Sequence, residues 1–217
     1  MLSEELKEMV ATIEFFIVEN QRSARRFLRS IGYKKNFDQV TLVLMESDNK
    51  FFAGENMINH LKSGKDIGVI SEAGCPGIAD PGAAAVRWAH KNRTKVVPCI
   101  GPSSIFLALM ASGLNGQHFS FHGYLPIPTF ERKQKLKKLE EESVKKKQTQ
   151  IFMETPYRNN ALLQDVLETC METILLCLAS DITLPSEKIF TQTIKEWKNK
   201  IPDLKNKPSI FLIGTEM

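Results

Sequence analysis

Cysteine, histidine and tryptophan are scarce in this chain: four, four and two among 217 residues. The cysteines, Cys75, Cys99, Cys170 and Cys177, show no CxxC spacing, and three lie in or beside apolar segments. This argues against a disulfide framework or a zinc ribbon and reads as free thiols in a reducing cytoplasm. The histidines are dispersed, so no metal site is expected. No apolar run approaches the roughly 20 residues that span a bilayer, and no signal-peptide pattern is present. A cytoplasmic protein without a membrane partner is therefore expected. Repeats and low-complexity linkers are also lacking, which excludes repeat arrays and flexible tethers. The net charge of +4 is mild; it permits an anionic partner without demanding one.

The most informative stretch runs from Val69 to Gly82, VISEAGCPGIADPG. A β-branched run feeds a loop rich in glycine and proline, and the helix-like segment Ala83 to His90 follows at once. Open α/β sheets build ligand sites from this order of strand, tight loop and helix. Glycine lets backbone approach a ligand and proline holds the loop in one shape. The alternative is a tight βα turn with no ligand.

Apolar periodicity gives helices over Leu2 to Thr12, Gln21 to Ser30, Phe51 to Leu61 and Ile105 to Ala111, the last capped by Ser103-Ser104. Strands are expected at Phe15 to Val18, Thr41 to Met45, Ile67 to Ser71 and Lys95 to Pro98. This alternation argues for a mostly parallel sheet with flanking helices. Gly113 to Gly116 marks a boundary, giving domains 1–114 and 115–217. Beyond it come a strand at Phe119 to His122, a hinge or rim loop at Leu125 to Pro128 and a long charged helix from Thr129 to Lys147. Further strands are expected at Gln150 to Met153, Ile174 to Ala179, Ile189 to Ile194 and Ser209 to Ile213, with a helix from about Asn160 to Cys170. Less helix between these strands suggests a mixed sheet.

Four segments occur in register: the loop Glu72 to Gly82, the turn Val97 to Ser104, Gly123-Tyr124-Leu125-Pro126, and Glu154-Thr155-Pro156-Tyr157-Arg158. Together they resemble the tetrapyrrole (corrin/porphyrin) methylase superfamily, and look most like the branch that methylates a ribose 2′-hydroxyl of 16S ribosomal RNA. The resemblance covers about Glu14 to Gly214. It implies two α/β domains, a homodimer, and S-adenosylmethionine in the cleft between the domains. Carried over by motif, the cofactor would meet Ala73, Gly74, Pro76, Ile78, Asp80 and Pro81, then Gly101, Pro102, Ser103 and Ser104, and, from the second domain, Met153, Glu154 and Thr155.

Three departures stand out. The family's usual first strand and Pro/Gly loop are expected to be lacking here, since the chain opens with a helix. Ser180-Asp181-Ile182-Thr183-Leu184 replaces a stretch that typically reads Arg-Glu-Leu-Thr-Lys. Tyr157 replaces a usual histidine, and Asn20-Gln21 an Asp-Thr pair. These bear on the substrate more than on the chemistry.

Methyl transfer to a ribose hydroxyl needs a positioned nucleophile and benefits from a general base. Glu154, at a strand end, is the first candidate and Glu19 the second; Arg22, Arg26 and Arg158 are candidates for binding a phosphate backbone. The alternative is that Glu19–Arg22 and Glu154–Arg158 are structural ion pairs or caps. Asp80 reads more readily as a turn former or cap than a metal ligand. Trp88 and Trp197 read as packing residues. Two other functions fit the pattern: methylation of a tetrapyrrole or other small molecule, and a catalytically weak cofactor-binding or structural dimer.

Overall fold

The computed structural model describes residues 2–45, 54–72 and 74–216. The chain divides between Ser103 and Ser104 into two compact units. The sequence places that boundary at 114/115; the difference is the helix Ser104–Ser112, whose Ile105, Ala108 and Leu109 join the core of the second unit.

The first unit opens with α1 (Glu4–Thr12), capped by the Ser3 side chain, which accepts a hydrogen bond from Leu6 N. β1 (Phe15–Val18) follows, then α2 (Gln21–Ser30), β2 (Thr41–Leu44), α3 (Glu55–Lys62), β3 (Ile67–Ile70) and α4 (Ala83–Lys91). Asn20 takes the cap of α2, its Oδ1 accepting from Arg22 N and Ser23 N. That is what a cap asparagine supplies to otherwise unpaired first-turn amides. The sheet order is β2-β1-β3, all parallel. β1 is buried along its whole length. Phe16 and Val18 pack with Ala24, Leu28 and Tyr33 on one face; Phe15 and Ile17 pack with Met57 and Ala85 on the other. A central strand covered on both faces needs no polar alternation, which explains the unbroken FFIV run. Gly68 on β3 faces the Phe16 ring so closely that a Cβ there would stand 2.5 Å from Cδ1.

The strand expected at Lys95 to Pro98 does not form. A β-rich segment becomes a strand only by pairing, and among the described residues no strand pairs with it. The stretch is largely exposed, Val97 and Ile100 included. Most of the expected third helix is present as α3, but Phe51 to Ala53 lie outside the described residues.

The second unit contains α5 (Ser104–Ser112), β4 (Phe119–Tyr124), α6 (Thr129–Lys146), β5 (Thr149–Met153), α7 (Asn159–Thr169), β6 (Leu175–Ser180), β7 (Lys188–Thr193), α8 (Ile194–Asn199) and β8 (Ser209–Gly214). Its sheet runs β4-β5-β8-β6-β7, with β4 and β5 parallel and the remaining neighbours antiparallel. This is the mixed sheet expected. Phe152, Leu176, Leu178, Phe211 and Ile213 point to the face covered by α6 and α7; Ile151, Cys177, Ala179, Ile210 and Leu212 point to the face covered by α5. Phe152 and Phe211 stack with centroids 5.8 Å apart. Burying each such ring contributes about 1.5–3 kcal/mol. On α6 the buried positions are Arg132, Leu136, Leu139, Glu140 and Ser143, one stripe at helical spacing. Trp197 is buried and donates its indole N–H to Leu176 O, and Trp88 packs beside Phe15 and Ile17, so both serve packing.

No helix is long and apolar enough to cross a membrane among the described residues. Cys75, Cys99, Cys170 and Cys177 are all free.

Candidate active site

Two sets of residues gather at the carboxyl ends of parallel strands, one in each unit. In the first unit β1 and β3 run side by side with Val18 opposite Ile70. The residues that follow, Glu19 and Ser71-Glu72, therefore emerge together. Glu19 Oε2 accepts from Glu72 N at 3.0 Å, and Glu72 Oε1 accepts from Ser23 Oγ at 2.6 Å. Glu19 is thus bonded to the head of the glycine loop. No ion pair joins it to Arg22 among the described residues.

The loop is closed by its own backbone. Gly77 N donates to Pro81 O and Ile78 N to Cys75 O, both at 3.1 Å. Gly74, Gly77, Ala79 and Gly82 all take positive φ. At Gly82 the requirement is doubled, since φ is +138° and a Cβ would meet Gly77 N at 3.0 Å. Asp80 does not cap α4, whose cap position is Gly82. Burial pushes the Asp80 carboxyl above its usual range, the neighbouring Glu19 charge adds to this, and the Ser71 hydroxyl opposes it. Pro81 is half-buried, while Pro76 and Ile78 are exposed. Ala73 lies outside the described residues. Gly101 and Pro102 are exposed, Ser103 precedes α5 and Ser104 opens it.

The arginines of α2 divide into two pairs. The Arg25 and Arg29 guanidinium groups lie 5.5 and 4.3 Å from the Phe37 ring centroid, and Arg29 also donates to Tyr33 O. All four arginines, Arg22 and Arg26 included, are exposed.

In the second unit β5 ends at Met153, beside Tyr124 at the end of β4. Glu154 follows, its side chain 1% exposed. Its Oε1 accepts from Thr155 N at 2.6 Å, Thr155 Oγ1 at 3.2 Å and Arg158 Nη2 at 2.7 Å. Its Oε2 is buried without a hydrogen-bond partner. The ion pair to Arg158 that the spacing permits is therefore present, yet it occupies only one of the two carboxylate oxygens. A buried oxygen with an open lone pair is costly unless a donor reaches it. Arg158 also donates from Nε to Thr155 Oγ1 and lies 5.3 Å from the Tyr157 ring centroid.

No protein-family model matches the chain. It is 32% identical over 199 residues to ribosomal RNA small subunit methyltransferase I of Haemophilus influenzae, covering 90% of this chain and 67% of the relative. The same-named protein of Buchnera aphidicola is 31% identical, covering 88% and 65%, and that of Bacillus subtilis is 36% identical, covering 75% and 55%. The chain belongs to the ribosomal RNA small subunit methyltransferase I family. It spans about two thirds of the first two relatives and about half of the third. Two solved structures share the fold: the methyltransferase CobJ, with TM-score 0.60 at 16% identity over 98% of this chain and 87% of that one, and cobalt precorrin-4 methyltransferase CbiF, with TM-score 0.57 at 16% identity over 98% and 88%. The family and fold implied by the four motifs are thus those found.

Residues 181–187, which include no lysine or arginine, form the loop between β6 and β7, with Ser186 Oγ donating to Asp181 Oδ2 and Thr183 N to Glu187 Oε2. Both acids are engaged within the loop. His122 Nε2 donates to Gln150 Oε1, 2.7 Å away, and burial lowers its pKa. It is a packing histidine on β4. Arg132, in sequence one cation of the charged helix, forms a buried pair with Asp165 of α7, which the sequence does not single out. Their only sequence signal is an arginine on the apolar stripe of α6.

Proposed function

We propose that this chain is an S-adenosylmethionine-dependent methyltransferase that methylates a ribose 2′-hydroxyl of 16S ribosomal RNA, working in the cytoplasm as a homodimer. Family membership supports the reaction class. The observation that carries the residue assignment is the bare, buried Oε2 of Glu154 at a strand carboxyl end.

The residues present suit the cofactor. Its amino, adenine and ribose groups bring hydrogen-bond donors and its sulfonium a positive charge. The Glu154 oxygen needs a donor, and the Asp80 carboxyl, raised by burial and by Glu19, is relieved by a cation. Ala73, Gly74, Pro76, Ile78, Asp80 and Pro81 of the motif, with Gly101, Pro102, Ser103, Ser104, Met153 and Thr155, would hold it. When bound, it supplies an already activated methyl group.

The remaining work falls to the chain. Glu154 Oε2 accepts the hydroxyl proton as the oxygen becomes nucleophilic, while Arg158 fixes Oε1. Glu19 holds the head of the glycine loop through Glu72 N. Arg22, Arg26 and Arg158 meet RNA phosphate. The test is transfer of labelled methyl from S-adenosylmethionine to unmethylated small ribosomal subunits, with the modified nucleotide mapped. Ribose-methylated RNA is expected. Label found only on base atoms, or transfer to a tetrapyrrole and not to RNA, would overturn the reading.

A further inference from the structure

At the carboxyl ends of β4 and β5, Tyr124, Leu125, Pro126, Ile127, Thr155 and Arg158 line an open trough of about 530 Å³. Four of the six are apolar or aromatic, and Tyr124 and Ile127 are more than half exposed. The one cation, Arg158, is held by Glu154 and lies beside the Tyr157 ring. A flat heterocycle is the ligand such walls suit, because apolar and aromatic surfaces receive its faces and a guanidinium stacks on its plane. The trough is open, so it admits a ring still attached to a chain.

The trough's rim is held from behind. Arg132 Nη1 donates to Ile127 O at 2.6 Å and Pro126 O at 3.4 Å, and Nη2 to Thr129 Oγ1 at 3.4 Å. Its Nε donates to Asp165 Oδ2 at 2.6 Å, its Nη2 pairs with the same oxygen, and Lys133 Nζ stands 3.6 Å from Asp165 Oδ1. Arg132 and Asp165 are both buried. A buried ion pair is a poor source of net stability compared with apolar packing of the same volume. A planar guanidinium fork can nevertheless fix two backbone carbonyls and a carboxylate at once, which a lysine ammonium does not reproduce.

We propose that this trough seats one unstacked nucleobase of the substrate RNA, and that Arg132 is the positioning residue that sets its rim. The inference rests on the function proposed above. The same chemistry, a base on a ribose, is also present in the adenosyl half of the cofactor, and the experiment separates the two sources.

The full chain is titrated with an unpaired oligouridylate octamer and, separately, with S-adenosylhomocysteine. The variants are Ile127→Ser, Tyr124→Ala and Arg132→Lys. The first two are neutral changes at exposed side chains, so the salt dependence of RNA binding should not change. Octamer affinity is expected to fall about tenfold or more in Tyr124→Ala, the loss typical of one base–aromatic stack, and severalfold in Ile127→Ser. S-adenosylhomocysteine affinity stays at the wild-type value. In methyl transfer, Arg132→Lys is expected to raise KM for RNA severalfold with kcat retained; a merely structural role would lower the melting temperature and the active fraction without moving KM. If Arg132→Lys does not fold, the two exposed variants still decide the trough. Loss of S-adenosylhomocysteine binding with RNA binding intact assigns the trough to the cofactor and overturns the proposal. Unchanged binding of both overturns it as well. A wild-type chain that binds neither ligand and transfers no methyl group overturns the proposed function itself, and the trough with it.

Discussion

Replacing Glu154 by glutamine separates the structural and chemical duties of this residue. The side chain keeps its shape and loses its charge. At Oε1 three donors converge, one of them the Arg158 guanidinium. A hydrogen bond to a charged partner contributes about 1.5–3 kcal/mol. Arg158 retains partial exposure, 25% of its side chain, so solvent offsets part of that loss and the lower half of the range applies. The new amide NH2 must take the Oε2 position, because the Oε1 position faces donors. There it replaces an oxygen that has no hydrogen-bond partner, and a buried donor left unpaired costs about 1–3 kcal/mol more. The expected destabilisation is about 2.5–5 kcal/mol, read by urea denaturation. If Glu154 also removes the hydroxyl proton, kcat falls about 100- to 10,000-fold, measured with saturating cofactor and subunits at a temperature where the variant stays folded. Loss of stability with wild-type turnover refutes the base assignment and leaves the ion pair. Loss of turnover with unchanged stability refutes the packing arithmetic.

Three further outcomes follow from other parts of the molecule. Gly68→Ala places a methyl 2.5 Å from the buried Phe16 ring and should destabilise the protein by about 1–3 kcal/mol in urea denaturation, whereas Gly116→Ala, with open space around its Cβ, should change little. Lys35 and Lys65 lower the Glu14 pKa from 4.5 to about 2; its folded pKa is depressed, so its stabilisation is complete above about pH 4.5 and is lost as pH falls through about 2, and Glu14→Gln should flatten that acid limb in pH-resolved melting curves. Burial, with Glu140 nearby, pushes the Cys170 thiol up to about 12, so timed alkylation of the native chain followed by mass spectrometry should label exposed Cys99 while leaving Cys170 unmodified; early labelling of Cys170 would contradict the packing of α7.

Much of this fold is legible in single segments. FFIV declares a buried strand, and the residues from Gln21 declare a helix. Lys95 to Pro98 shows the limit: its residues favour extended chain, but pairing is a property of neighbours. The compact units part earlier than the sequence boundary for a related reason, since SIFLALMAS announces a helix without saying which sheet it covers. At the site, the strand ends carrying Glu19 and Glu154 are visible from periodicity. That Glu19 bonds to Glu72 N, and that only one oxygen of Glu154 is engaged, depends on angles no spacing contains. Arg132 reads as one more cation of a charged helix because its buried role depends on Asp165, 33 positions away.

The short strand β1 acts as a gauge for chemistry beyond its own end. Phe15 stands opposite both Thr41 and Ile67, and the match continues to Val18. Its alternate residues are claimed by different cores, so a slip of one position would exchange both sets of contacts at once. The register is therefore specified twice, and Glu19, the next residue, inherits that precision when it meets the amide of Glu72. A substitution at Phe16 or Ile17, both buried, should then be felt first as a misaligned glycine loop.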